Sequence, residues 1–565
     1  MTSFSTLPCA SGETLTDMGY RVTESTRDHI QTTQGIEVQL LRDETTEVQL
    51  ERLTRTQSDQ RTAITISRTI DQPELWLLVD KDCRILAERR IIYQADRPQF
   101  LEIRGRASNL LSRQALDAPV PAHPDYPGIT VAMIDSGVDY RIDYIARRLA
   151  RNTDGTIIGF DFWDMDGQPF DLQAARNLFF PSRHGTRTAT LVLDESPFAR
   201  LVPYRYPRPD MTRMKALIDH AASHNVRIVG VPVGSGDPND WSTFHATALE
   251  HPDILFVISA GNEGLDIEQT PRYPAVLKAD NFLVVGSADQ YPRPASRTNW
   301  GPSHVDLLIP AERLPSLDFG GSERLVSGTS YSVSRVVALA SRLMARERLT
   351  TAAQLKQRII DMADPMAGNR YARFGTLLDP LADVAEMTRL DTQSFDTSHA
   401  TNPLEVAVVQ IKNSGWSDEM VSDGLEQAQR ILLQCEIAVS FKLMPVEASG
   451  YLKDFHSLTS YTLVEQLKSR KPTVFLVRDT LRADPYEGEA FGRSNSGTLP
   501  WLTDSVWIIA DVEHPGIVIA HELMHVLLDN GDHEADRNNL MHTRTSPNST
   551  KLTSQQCAAA RTYLQ

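Results

Sequence analysis

The feature that most restricts what this chain can fold into is an alternation that begins at Gly128. Short apolar stretches at residues 129–134, 226–233, 254–259 and 282–285 alternate with segments of helical length and spacing at 211–224 and 352–362. Strands that are apolar throughout are buried on both faces, which calls for a mostly parallel sheet covered by helices on either side. That region accounts for only part of the chain. With 565 residues in all, a length prior of ~100–200 residues per domain predicts roughly three to five domains.

Four regions are expected. Residues 1–114 hold a polar, Ser- and Thr-rich tail to about residue 30. Short β-branched segments at 37–42, 63–68, 75–79 and 89–93 then read as a β-rich regulatory or pro-domain. The proline-rich stretch 118–127 leads into the α/β domain, placed at 115–388. A polar linker at 389–401 precedes a small α+β domain at 402–565, with helices at 417–433 and 518–528 and strands at 473–477 and 505–509.

Composition excludes several functions. Lys and Arg number 57 against 73 Asp and Glu, a net charge of −16, so binding to a phosphate backbone is not expected. A composition 41% hydrophobic and 23% charged rules out collagen-like, coiled-coil and wholly disordered chains. No run reaches the ~18 apolar residues of a membrane span. The N-terminus lacks a basic segment followed by an apolar one, so a cytoplasmic protein is expected. Cys9, Cys83, Cys435 and Cys557 are too few and too scattered for a disulfide framework and read as buried free thiols.

Two constellations carry chemistry. In the first, Asp135 ends the apolar strand Val131-Ala-Met-Ile-Asp135. His184-Gly-Thr186 leads into a helical run, Asn262 lies in Ser259-Ala-Gly-Asn262-Glu-Gly264, and Ser330 opens a helix after Ser327-Gly-Thr. A serine hydroxyl becomes a useful nucleophile when an imidazole accepts its proton, and the imidazole needs a carboxylate on its other nitrogen. An oxyanion needs donors, which the Asn262 amide and the Ser330 N–H offer; losing such a side-chain donor costs about 10²–10³ in turnover. A helix N-terminus at Ser330 adds favourable potential.

The strings VAMIDSGVD, HGTRTATL, FVISAGNEG and SGTSYS, in this order, resemble the subtilisin-like serine peptidase (subtilase) family over about residues 115–388. The resemblance implies Asp135 as orienting group, His184 as general base and acid, Asn262 in the oxyanion hole and Ser330 as nucleophile. Gly234 and Gly261 would line the substrate strand and specificity pocket. The chain departs from the pattern in having Tyr331-Ser-Val-Ser334 where a proline is usual, and Arg183 before the histidine. An acidic cluster, Asp161, Asp164 and Asp166, is a weak candidate for Ca²⁺.

The second constellation is His521-Glu522-Leu-Met-His525. One helical turn puts both imidazoles on one face at a spacing suited to one Zn²⁺, with Glu522 beside them as general base. His533, past Gly531, is the preferred third ligand; Glu534, Asp536 and His542 are alternatives. Together with Asn538-Asn-Leu-Met541, the motif resembles the metzincin zinc peptidases over roughly residues 402–565, although the family's third histidine follows the second more closely.

The expected function is a dual-site endopeptidase acting on proteins or peptides, gated or self-processing, with an activating partner or trigger and no nucleic-acid or membrane partner. Two alternatives are a regulatory protein in which one peptidase domain is an inactive scaffold, and a protease effector of bacterial conflict.

Overall fold

The computed structural model describes residues 28–31, 36–42, 49–55, 62–67, 72–80, 84–94, 97–173, 178–289, 291–347, 349–396, 402–455, 460–479, 491–493 and 499–564. The expected tail through residue 27, Cys9 and Cys83 lie outside them. Two compact units form: residues 1–230, 239–254 and 316–324, and residues 231–238, 255–315 and 325–565.

The first unit opens with β1 (Asp28–Gln31), β2 (Ile36–Arg42), β3 (Gln49–Arg55), β4 (Thr62–Ser67), β5 (Pro73–Val79), β6 (Ile85–Gln94), β7 (Arg97–Arg104) and β8 (Leu110–Ala115). They pair in sequence order in one antiparallel sheet. Alternation along β5 buries Leu75, Leu77 and Val79, the period-2 pattern of a strand with one covered face. Ile91 and Leu101 of this sheet share an apolar cluster with Leu172 and Phe179.

The same unit holds β9 (Ile129–Asp135), β10 (Phe160–Asp161), β11 (Ala199–Arg205) and β12 (Ile228–Val231). They run parallel, with β11 and β12 on the two sides of β9. Val131 to Ile134 are at most 1% exposed, as a doubly covered strand requires. Helix Gly185–Glu195 buries Ala189, Leu191, Val192 and Leu193.

In the second unit β13 (Leu255–Ser259), β14 (Phe282–Ala288) and β15 (Leu307–Pro310) are parallel. Two short strands, β16 (Leu314–Leu317) and β17 (Glu323–Val326), precede helix Thr329–Glu347, which is buried from Thr329 to Leu343.

The rest of this unit is the C-terminal domain. Its strands are β18 (Met387–Arg389), β19 (Gln393–Phe395), β20 (Asn402–Ile411), β21 (Ile437–Ala448), β22 (Thr473–Val477), β23 (Phe491–Arg493) and β24 (Ser505–Ile509). The centre is parallel, with β20 between β21 and β22 and β24 beyond β22; β18, β19 and β23 are antiparallel edges. Helix Asp418–Leu432 makes the crossover from β20 to β21, capped by Ser417 Oγ accepting from the Met420 N–H at 3.1 Å, a cap contributing about 1 kcal/mol. Helix Pro515–Leu528 packs against it where Gly424 and Gly516 meet; a Cβ on Gly516 would lie 2.5 Å from Gln427 Cβ.

Three expectations are corrected. The C-terminal domain has a parallel centre with a helical crossover, so it is α/β in construction and not a segregated α+β domain. The expected linker begins in strand structure: β18 (to Arg389) and β19 (Gln393–Phe395) pair with β21 along its edge. Cys435 and Cys557 are not free thiols: they form a disulfide with a Cα–Cα distance of 4.7 Å. Nothing in the spacing of two residues 122 apart signals that contact.

Candidate active site

Asp135 and His184 lie in the first unit. The register of β9 against β11 sets Asp135 opposite Arg205 at the strand's carboxyl end, where open α/β sheets present their chemistry. His184 is the residue before helix Gly185–Glu195, and its Nδ1 lies 2.7 Å and 2.9 Å from the two Asp135 carboxylate oxygens. Gly185 permits this approach: a Cβ there would fall 1.9 Å from the Gly137 carbonyl oxygen. Thr188 Oγ1 also donates to Asp135 Oδ2 at 2.7 Å, and the Ser136 N–H to Oδ1 at 2.7 Å. Burial is the largest influence on His184 and works against its charge. The nearby Asp135 carboxylate, through charge and hydrogen bond together, outweighs it, so the pKa is raised.

Ser330 and Asn262 lie in the second unit. Ser330 is in the first turn of helix Thr329–Glu347 and is 5% exposed. Its Oγ donates to the Pro232 carbonyl at 3.2 Å. Asn262 Oδ1 accepts from the Thr329 N–H at 3.0 Å and from Thr329 Oγ1 at 3.2 Å. The amide is thereby oriented by its oxygen, which directs its NH2 group away from that contact. Gly328 has a φ of +131°, and a Cβ on it would press to 2.9 Å from Asn262 Oδ1. Gly261 donates its N–H to Ser259 Oγ at 3.3 Å. Gly234 precedes Ser235, which pairs with Tyr273 through two 2.9 Å main-chain bonds.

Both departures from the family pattern have local explanations. The Arg183 guanidinium donates to the Asp171 main-chain carbonyl and, at 2.8 Å, to that of Ala115, so it ties the histidine segment to the end of β8. Ser334 Oγ donates to the Ser330 carbonyl at 3.2 Å and Ser332 Oγ contacts the Ile309 carbonyl at 3.5 Å, which accommodates the hydroxyls within a buried helix.

The carboxylates of the acidic cluster meet arginines. Asp161 accepts from Arg205 at 2.8 Å, Arg205 also pairs with Asp164, and Asp166 pairs with Arg97 at 3.0 Å. Arginines occupy the carboxylates, whereas calcium needs six to eight oxygens directed inward.

The family model described as "Subtilase family" matches residues 127–395. The chain therefore carries a subtilase domain. Its relatives include the thermophilic serine proteinase of Bacillus sp. (strain AK1), 28% identical over 273 residues, covering 44% of this chain and 60% of that protein. Another is subtilisin-like protease 1 of Arthroderma gypseum, 28% identical and covering 41% and 47%. A third, alkaline protease 1 of Aspergillus clavatus, is 35% identical over 137 residues and covers 24% and 32%. The chain thus spans 60% or less of the length of these proteins. A cold-adapted subtilisin-like serine proteinase of known structure covers 47% of this chain and 94% of its own at 21% identity and a TM-score of 0.38.

Beyond the subtilase domain, helix Pro515–Leu528 carries His521, Glu522 and His525, all buried. His521, His525 and His533 offer ligand atoms within 4.8 Å of one another. His521 Nδ1 donates to the Leu540 carbonyl at 2.6 Å and His525 Nδ1 to the Asn530 carbonyl at 2.9 Å. With Nδ1 engaged, each ring turns Nε2 towards the other, and the two Nε2 atoms are 3.1 Å apart. Two tetrahedral zinc ligands at ~2.1 Å would sit about 3.4 Å apart, close to the separation of this pair, and carbonyl acceptors on the outer nitrogens are the usual supports of such ligands. Burial pushes His521 down to about 4 and lowers His525, keeping both rings neutral as a metal requires.

Glu534, Asp536 and His542 lie outside the cluster of His521, His525 and His533. Glu534 donates its N–H to the Met541 carbonyl at 2.8 Å and accepts from Gln556 at 3.4 Å. Asp536 accepts from the Asn538 N–H at 3.0 Å, and His542 Nδ1 accepts from the Arg544 N–H at 3.1 Å. Asn539 Oδ1 accepts from the buried Met541 N–H at 2.8 Å, which shapes the turn that presents the Leu540 carbonyl to His521. Residues that sequence reasoning missed are Ser136, Asp171 and Thr188; only the bare side-chain types mark them.

Proposed function

We propose that the chain is an endopeptidase of proteins or peptides that uses Ser330 as nucleophile, His184 as general base and acid, and Asp135 to hold the imidazole. Asn262 and the Ser330 N–H are the proposed oxyanion donors. The observation that carries the reading is the Asp135–His184 pair, 2.7 Å apart, inside a region matched to the subtilases. In this scheme His184 Nε2 takes the Ser330 hydroxyl proton as Oγ attacks the scissile carbonyl, then returns it to the leaving amine.

The C-terminal domain is proposed as a second peptidase site. His521, His525 and His533 would hold zinc, a three-nitrogen set that leaves a fourth position open. Bound there, zinc supplies Lewis-acid polarisation of a carbonyl and lowers the pKa of a water. Glu522, on the same helix, would serve as general base and acid, moving a proton between a water and the leaving amine. The neutral, carbonyl-oriented imidazoles support this reading.

Casein digestion by the full chain tests both. A serine-directed acylating reagent is expected to remove one part of the activity and a chelator the other. Digestion untouched by the reagent and by Ser330→Ala would reject the serine site.

A further inference from the structure

Asp171 is a buried acid of the first unit that the proposed chemistry does not use. Asp171 is 0% exposed, and a carboxylate is costly to bury unless several donors meet it. Its Oδ1 accepts from Ser136 Oγ at 2.6 Å and from the His184 N–H at 3.2 Å. Its Oδ2 accepts from the Thr186 N–H at 3.0 Å and Thr186 Oγ1 at 2.5 Å. Ser136 Oγ in turn accepts from the N–H groups of His184 at 3.2 Å and Gly185 at 2.9 Å. The residue after Asp135 and three successive residues beginning at His184 are therefore tied to one carboxylate and one hydroxyl.

The segment bearing Asp171 is itself anchored on both sides. Phe170 packs edge-on against Tyr140 and Phe319 at ring distances of 5.3 Å and 5.6 Å. Leu172 belongs to the apolar cluster that includes Ile91 of β6 and Leu101 of β7. Arg89 of β6 donates to the Phe179 carbonyl at 2.9 Å. The N-terminal sheet thus backs the loop that presents the carboxylate.

We propose that Asp171 is a positioning residue: through Ser136 and the main chain of residues 184–186 it fixes the His184 ring on Asp135, with the N-terminal sheet as its support. The inference rests on the reading of His184 as general base. The charged groups facing His184 are Asp135, Arg187 and Asp171; Arg183 faces Asp171 in turn, with Asp139, Arg141 and Arg205 around it. Asp171→Asn removes one negative charge from this set and replaces an acceptor with a donor facing Ser136 or Thr186.

The test compares wild type, Asp171→Asn and Ser136→Ala as full-length proteins with ¹⁵N-labelled histidine, the His184 signals being assigned with His184→Gln. Asp171→Asn is expected to lower kcat on casein by about 10–100-fold with KM within about twofold, the scale of a small misplacement of a reacting group. It should also broaden the His184 Nδ1–H resonance and move the ring's titration to lower pH. An Nδ1–H resonance and titration identical to wild type would overturn the proposal whatever the turnover. If wild type lacks Ser330-dependent turnover while the resonance responds, the positioning stands and the general-base reading fails. If Asp171→Asn does not fold, Ser136→Ala decides: a kcat loss of about 10-fold at constant KM with a broadened resonance supports the proposal, and wild-type behaviour in both overturns it.

Discussion

His184 and His521 are the same side chain set in opposite surroundings. Both rings are fixed through Nδ1, leaving Nε2 to act. His184 meets a carboxylate, which raises its pKa despite burial; His521 meets a main-chain carbonyl, and burial takes it down to about 4. A carboxylate stabilises the imidazolium that a general base must become. A carbonyl fixes the ring without favouring charge, which suits a ligand that must stay neutral. The partner of Nδ1 therefore separates a proposed base from a proposed metal ligand within one chain.

The strongest way to break this comparison is to change the partner. Asp135→Asn should lower Ser330-dependent casein turnover by about 10⁴-fold, because the amide no longer holds the productive tautomer; metal content should not change. Asn262→Ala should follow with a loss of about 10²–10³ in kcat and little change in KM, read by initial rates on casein. At the other site the carbonyl itself cannot be mutated, but Asn539→Ala loosens the turn that supplies it. Metal affinity measured by competition with a chelator should fall by about 10–100-fold.

Asp135, His184, Asn262 and Ser330 were legible as candidates because each sits in a short string at the edge of an element. The apolar runs around them marked the parallel strands to within about three residues at each end, and in the C-terminal domain the strands at 473–477 and 505–509 stand as read. His533, the preferred third candidate in the sequence, lies with His521 and His525 in the structure. What escaped depends on long-range contact. Asp171 is thirteen residues before His184 and becomes relevant only when the chain folds back. Cys435 and Cys557 meet because helix Ser554–Thr562 returns to the crossover that ends at Cys435. Nothing in the acidic run 161–166 announces Arg205 and Arg97 as partners of its carboxylates.

The smallest expected effect concerns pH. The serine-dependent kcat/KM should rise with pH through a midpoint above the ordinary imidazole value of ~6.5, because His184 must be neutral to accept the proton. The sign for stability is opposite. A raised folded-state pKa contributes stability that is complete below ~6.5 and is lost as pH climbs through the folded value. Thermal unfolding of wild type and Asp135→Asn across that window should converge on the alkaline side.

The central claim is that two separate chemistries occupy this chain, and the most direct measurement is zinc content together with casein digestion for wild type, Ser330→Ala, Glu522→Gln and the double variant. The account predicts about one zinc per chain in all four, only chelator-sensitive digestion in Ser330→Ala, only acylation-sensitive digestion in Glu522→Gln, and none in the double variant. Wild-type digestion by the double variant, or a chain that takes up no zinc, would contradict it.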